Sequence, residues 1–233
     1  MLNRELRVQE GKEEVFVGGR HALPRWDYDT AYGGLGLSVS RIEGLVQRRV
    51  LDAASGLSIL ATELSILGVV ADCVDIEIDD AHPSLQAAAA HVRERYSAEL
   101  TRLCELVDSG AERYVMSVDE RRLLARLVGH APTVASRYPA VSGKRIRDDV
   151  TALSSIEDAT YDAALCGWLM VHLEEADERR AIESLVRVTK PGGHVHVRAG
   201  YGGDAAERIR DWLGDRVAIE RGEDDLVVMR RLA

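Results

Sequence analysis

Phenylalanine is almost missing from this 233-residue chain: Phe16 stands alone. A core without it must be built from Leu, Val, Ile and Ala, which make up most of the 46% hydrophobic content. Cysteine is scarce too, and Cys73, Cys104 and Cys166 show no C-x-x-C spacing. That argues against a disulfide framework or a cysteine metal site and for buried thiols in a reducing compartment. No uncharged apolar run approaches the ~20 residues of a membrane span. The first fourteen residues, MLNRELRVQEGKEE, lack an apolar h-region, so no signal peptide is expected there. A soluble, cytoplasmic protein is the expectation. Positive charge is also in deficit, with 30 basic against 39 acidic residues and a formal net charge of −9. Binding a phosphate backbone relies on clustered Lys and Arg, so nucleic acid is disfavoured and a small-molecule substrate favoured. The arginines are scattered among carboxylates and read as solvated helix faces, with Glu175–Arg179 and Glu183–Arg187 as i,i+4 pairs.

What is present is an alternation of strand and helix from Arg48 onward, the pattern of a mostly parallel sheet covered by helices. Residues 49–53 read as a buried strand, 58–67 as a helix closed by Gly68, and 69–76 as a second strand. Three more strands follow at 145–148, 162–166 and 193–198. Between the last two, 174–190 is an amphipathic helix with Ala181, Leu185 and Val188 inward, stopped by Lys190-Pro191-Gly192-Gly193. A helix over 205–213 and an antiparallel hairpin of 217–220 with 226–229 close the chain.

The stretch from Asp79 to Gly143 is too long for a simple crossover. Leu85, Ala89, Val92, Tyr96, Leu100, Leu103 and Val107 keep one apolar stripe from Pro83 to Gly110, which predicts a long helix. Ser117 with Glu120 forms a capping box for a second helix, which Gly129 and Pro132 should end. Covering a site or making a homo-oligomer contact are both open roles for this helical segment at about 80–143. Nearer the start, Ser40 with Glu43 predicts a cap for a helix over 41–46, after an aromatic, glycine-rich loop, Trp26 to Gly34. Two parts are thus expected: an N-terminal cap segment, 1–47, and a core domain, 48–233.

The segment Val50-Leu51-Asp52-Ala53-Ala54-Ser55-Gly56-Leu57-Ser58 runs a strand through a tight turn into a helix, a joint whose small residues let the backbone approach a nucleotide. Asp75 ends the next strand, where an acid can hydrogen-bond ribose hydroxyls. A joint that binds nothing, with Asp75 as a helix cap, is the bland alternative.

This segment resembles motif I of the class I S-adenosylmethionine-dependent methyltransferases, V-L-D-x-G-x-G-x-G. Asp52 matches the acid and Gly56 the middle glycine, while Ala54 and Ser58 replace the other two. Asp75 in Cys73-Val74-Asp75-Ile76 is similar to the motif II acid. Asp148-Asp149-Val150-Thr151-Ala152-Leu153 resembles the family's G-D-A-x-x-L segment, whose acid, Asp149 here, meets the adenine amino group. Ala159 to Cys166, Val171-His172-Leu173 and Arg187-Val188-Thr189-Lys190-Pro191-Gly192-Gly193 follow the family's later motifs in order. Ser55-Gly56-Leu57-Ser58, the helical insertion and Ala164-Leu165-Cys166 resemble a poorly characterised methyltransferase-like subgroup. The resemblance implies a Rossmann-like, doubly wound seven-stranded α/β sheet with the last strand antiparallel and a helical insertion between strands two and three. It implies S-adenosylmethionine as cofactor, held by Asp52, Ala53, Ala54, Ser55, Gly56, Ser58, Asp75, Ile76, Asp149, Val150 and Cys166.

Catalysis has weaker signals. His172 follows the fourth strand, where ligand-facing loops gather, and is the candidate base; packing or capping is an equal reading. Tyr28 and Tyr32 are candidate lid residues and Trp168 a candidate substrate contact, each with ordinary packing as the alternative. His194 and His196 share a strand face but have no third ligand, so no metal site is expected. Three functions stay open: methyl transfer to a small molecule, an NAD(P)-dependent oxidoreductase, and a non-catalytic relative acting in binding or assembly. The second lacks the G-x-G-x-x-G fingerprint. The third is motivated by the two replaced glycines.

Overall fold

The computed structural model describes residues 6–9, 12–17, 20–21, 35–78, 83–110, 118–167, 169–199, 204–223 and 225–233. Its centre is a seven-stranded sheet of β4 (Arg49–Ala53), β5 (Val70–Asp75), β6 (Arg145–Arg147), β7 (Tyr161–Cys166), β8 (Thr189–Arg198), β9 (Val217–Glu223) and β10 (Leu226–Arg231). The spatial order is β6-β5-β4-β7-β8-β10-β9. The first five run parallel, whereas β10 pairs antiparallel with both β8 and β9. The chain leaves β4 toward β5 and β6 on one side, then returns to β7 and β8 on the other. The strand order reverses between β4 and β7, and in open sheets ligands gather at the carboxyl ends beside such a switch.

Period-two alternation along each strand divides the core between the two faces. Val50, Ala71, Cys73, Ala163 and Leu165 face α1 (Val39–Gly44), α2 (Leu60–Ile66), α3 (Pro83–Asp108) and α4 (Val118–Arg137). Leu51, Val74, Ala164, Val195 and Val197 face α5 (Glu175–Val188) and α6 (Ala205–Leu213). All seven residues of the α3 stripe are buried, as their spacing predicts. Among the described residues no helix is long and apolar enough to cross a membrane.

Several boundaries differ from the sequence-based expectation. Helix α4 does not stop at Gly129 or Pro132 but runs on to Arg137. Both residues lie on its exposed face, while Leu127, Ala131, Val134 and Ala135 stay buried. The missing Pro132 N–H thus falls on the solvent side, and packing of the opposite stripe carries the helix through. Helix α1 starts two residues before its predicted first residue: Ser38, not Ser40, caps it, accepting from Arg41 N at 3.3 Å. Arg187 does not pair with Glu183, which instead takes Arg179 and Arg216. An N-terminal antiparallel sheet of β1 (Leu6–Gln9), β2 (Lys12–Val17) and β3 (Arg20–His21) was not anticipated. Residues 35–42 join the main core through Leu35, Leu37, Val39 and Ile42.

The amino ends of the strands are tied by one buried carboxylate. Asp72 is fully buried and accepts from Arg49 Nε (3.1 Å), Arg49 Nη2 (2.6 Å), Tyr161 Oη (2.8 Å) and Lys144 N (2.7 Å). Gly143 sits so close that a β-carbon there would lie 1.8 Å from Asp72 Oδ1.

Candidate functional site

At the carboxyl ends, β4 runs into a turn in which Ala54 (φ +53°) and Gly56 (φ +51°) both adopt the left-handed conformation. For Ala54 this costs roughly 1 kcal/mol, and the surrounding bonds hold it. Ser55 N donates to Val74 O (3.1 Å), and Gly56 N donates to Asp75 Oδ2 (3.0 Å). The other Asp75 oxygen accepts from Glu77 N at 2.9 Å. One carboxylate therefore links the turn after β4 to the end of β5. Ser58 N donates to Ser55 O (2.7 Å) to close the turn, and its hydroxyl accepts from Leu60 N (3.1 Å) as α2 begins.

The third wall is the loop after β6. Asp148 accepts from Asp149 N, Ser154 Oγ, Ser155 N and Ser155 Oγ. Burial pushes its pKa up, but these donors, led by Ser155, outweigh that and hold it below the usual carboxylate value. Asp149 turns outward, with one oxygen on Thr151 N at 2.8 Å. Arg187 of α5 pins the loop from behind by donating to the carbonyls of Ala152, Leu153 and Ile156, and Ser184 Oγ donates to Thr151 O.

These pieces enclose an open cavity of about 230 Å³ lined by Ala54, Asp75, Ile76, Asp149, Val150 and Thr151. Leu169 and Leu173, on either side of the short 3-10 helix Met170–His172, add apolar wall, and the ion-paired Asp177 and Arg180 of α5 form the rim. Five of the predicted cofactor residues thus meet in one place: Ala54, Asp75, Ile76, Asp149 and Val150. Ile76 is 47% exposed although apolar, which leaves its side chain available to a flat ring. Ala53 and Cys166 are buried outside the lining, and the Cys166 thiol is pushed up to about 12, chiefly by burial. Ser55 is buried and bonded to Cys73. His172 is exposed beside the cavity without lining it. Tyr28, Tyr32 and Trp168 lie outside the described residues. Sequence reasoning missed Leu169, Asp177 and Arg180; in sequence, an Asp–Arg i,i+3 pair on a first helical turn looks like any solvated face.

Asp52 stands apart. It is 5% exposed, and its Oδ2 has no hydrogen-bond partner. Burial raises its pKa to about 7, opposed by the Ala61 N–H and reinforced by the charge of Asp75.

The two histidines of β8 do not converge on a common ligand position. His196 Nδ1 meets Leu35 O at 2.7 Å, and His194 Nε2 lies 3.3 Å from Glu220. A second groove between α1 and α4, about 510 Å³, is lined by Val39, Ser40, Glu43, Arg122, Ala125 and Arg126 and contains no predicted site residue.

Residues 124–197 match the family model described as a methyltransferase domain. The matched region runs from α4 through β8, so it takes in the Asp149 loop and the β7 turn but not the β4 turn. No curated protein matches the sequence. Among solved structures, the domain is similar to 1,6-didemethyltoxoflavin-N1-methyltransferase of Burkholderia thailandensis, solved with 1,6-didemethyltoxoflavin and S-adenosylhomocysteine bound. The identity is 11% and the TM-score 0.51, over 89% of this chain and 80% of that one. An S-adenosylmethionine-dependent methyltransferase of Methanosarcina mazei shows 14% identity and a TM-score of 0.46, over 82% of this chain and 96% of that one. Magnesium protoporphyrin IX methyltransferase of Synechocystis shows 16% and 0.47, over 83% and 76%. At 11% identity, the likeness to the Burkholderia thailandensis structure speaks for the fold alone.

Proposed function

We propose that this protein is a methyltransferase that transfers a methyl group from S-adenosylmethionine to a small-molecule acceptor. The observation that carries the proposal is the convergence of Ala54, Asp75, Ile76, Asp149 and Val150 on one cavity at the carboxyl edge of the sheet. The residues fit an adenosyl group. Asp75 is fixed by two backbone N–H donors and keeps further lone pairs for vicinal hydroxyls. Asp149 offers acceptor oxygens for an exocyclic amine, and Ile76, Val150, Leu169 and Leu173 supply apolar surface for a flat base. The β-carbon of Ala54 forms wall rather than plug, Ser58 is engaged at the start of α2, and a β-carbon at Gly56 would meet nothing within 4 Å. Three carboxylates and one guanidinium line the cavity, a balance that suits a cationic ligand and opposes a pyrophosphate.

When bound, S-adenosylmethionine supplies a methyl group made electrophilic by its sulfonium. The chain's own part is to orient that group, exclude water and receive a proton where the acceptor carries one. His172, exposed on the turn after β7, is the candidate to take that proton. The net charge of −9 supports an acceptor other than a polyanion.

Calorimetric titration with S-adenosylmethionine, S-adenosylhomocysteine and NADH tests the cofactor. Saturable binding of the first two, weakened at least about tenfold by Asp75→Ala, is expected. Binding of NADH alone would overturn the proposal. Transfer of labelled methyl to a metabolite pool, and not to RNA or protein, tests the acceptor class; label in RNA would refute a small-molecule acceptor.

A further inference from the structure

Among the described residues, α3 and α4, the two helices between β5 and β6, contribute nothing to the lining of the carboxyl-edge cavity. They cover α2 instead, and their segment meets it at three heights. Tyr138, the first residue after α4, donates its hydroxyl to Leu57 O at 2.7 Å, in the turn that precedes α2. Tyr96 of α3 donates to Glu63 in the middle of α2. At the far end Ser142, on the way to β6, donates its N–H to Ser65 Oγ (2.9 Å) and its hydroxyl to Val69 O (2.8 Å). Of the three, the Tyr138 contact alone touches the turn.

Leu57 adjoins Gly56, whose N–H donates to Asp75 Oδ2 at 3.0 Å, and Asp75 lines the cavity. On its other side Ser58 N donates to Ser55 O at 2.7 Å. The Leu57 peptide thus sits between two bonds that shape the turn, and its carbonyl is held from outside the turn. The outside hold matters because Ala54 keeps a left-handed φ of +53°, which a glycine would adopt without strain. The donor itself is well fixed. Tyr138 is 3% exposed and packs in the core on the α2 side of the sheet. Burial pushes its pKa up, so the phenol keeps its proton and remains a donor.

Resting on the cofactor assignment above, we propose that Tyr138 is a positioning residue: its hydroxyl holds the Leu57 peptide, and through Gly56 the Asp75 carboxylate, in the arrangement that receives the ligand. The two-helix segment then serves the site from behind, by delivering this phenol to the turn, and not by covering the cavity. A turn that is ready only part of the time weakens apparent affinity in proportion to the ready fraction, with the ligand's own contacts unchanged.

Tyr138→Phe removes the hydroxyl and keeps the ring, so the core stays filled. Ser142→Ala is the control, because it removes a hydroxyl bonded at the far end of α2. Two properties of the full-length chain are compared: calorimetric affinity for S-adenosylhomocysteine, and amide hydrogen exchange at Ser55 and Gly56 in the free protein. Tyr138→Phe should bind about fivefold more weakly than wild type, the equivalent of one neutral hydrogen bond. Its two turn amides should exchange about fivefold faster, through local opening. Ser142→Ala should match wild type in both properties, although urea unfolding finds both variants less stable. A phenol that is merely structural would lower stability in Tyr138→Phe and leave affinity at the wild-type value. That result would overturn the positioning role and leave the cofactor assignment standing. Binding weakened equally by Ser142→Ala would also overturn it, since the hold on the turn would then not belong to Tyr138. Wild-type protein that binds no S-adenosylhomocysteine would overturn the cofactor assignment and the role built on it.

Discussion

Asp72 and Asp52 sit on neighbouring strands, β5 and β4, both almost wholly inaccessible, and the fold treats them in opposite ways. At the amino end of the sheet Asp72 receives a guanidinium, a phenol and a backbone N–H. At the carboxyl end Asp52 is left with an orphaned oxygen and a second carboxylate nearby. The closed end is finished without help, down to Gly143, where a β-carbon would collide with Asp72. The open end is unfinished, and Gly56 faces space. Burial alone therefore does not tell the two acids apart; whether the buried charge finds a partner among the described residues does.

The largest test of this contrast is removal of the satisfied acid. Asp72→Ala leaves Arg49 and Tyr161 without their acceptor, and urea unfolding should show a loss of ~3–5 kcal/mol. A loss below ~1 kcal/mol would erase the distinction between the two ends. A buried histidine sharpens it next. His196, 2% exposed, is pushed down to about 4, chiefly by burial and against the Leu35 carbonyl. Its folded value lies below the ordinary 6.5, so folding favours the neutral ring. The associated stability is complete above about pH 6.5 and disappears as pH falls toward 4, a change of ~3 kcal/mol. Unfolding of wild type and His196→Gln at pH 7 and 4.5 should show that extra loss in the wild type only; parallel losses would contradict it.

Asp52→Asn should move the other way from Asp72→Ala. Its raised pKa means that the unfolded chain ionises earlier, so the acid destabilises the fold increasingly from about pH 4 to 7 and fully above. The neutral amide should stabilise the free protein at pH 8 by ~2 kcal/mol, part of the gain being offset by the buried amide's own needs. A destabilised Asp52→Asn would mean that the orphaned oxygen has a structural partner after all. Smallest is Gly56→Ala: with no neighbour within 4 Å, only the positive φ resists, at ~1 kcal/mol in thermal unfolding.

Long-range regularities were the easiest features to read from the sequence. The α3 stripe from Leu85 to Val107 keeps consistent spacing over about six turns, and the strand–turn–helix joint at Ala54 announces itself by small residues. Residues tied to the strand ends, Asp75, Ile76, Asp149 and Val150, follow from that order. Features decided by tertiary packing were not legible. Pro132 reads as a terminator until the opposite face of α4 is seen to be buried. Arg187 looks like half of an i,i+4 pair until the carbonyls of Ala152, Leu153 and Ile156 come within its reach. The N-terminal strands do carry a sequence signal, a faint one: Leu6 and Val8, then Val15 and Val17, alternate across Glu10-Gly11, and Gly18-Gly19 follows.

The proposed methyl transfer requires that the adenosyl group sit in the carboxyl-edge cavity. A co-crystal structure with S-adenosylhomocysteine tests this directly. Density bounded by Ala54, Asp75, Ile76 and Asp149, with the ribose hydroxyls on Asp75, is the predicted result. Ligand seated in the groove between α1 and α4, or a cavity still unfilled at saturating ligand, would contradict it.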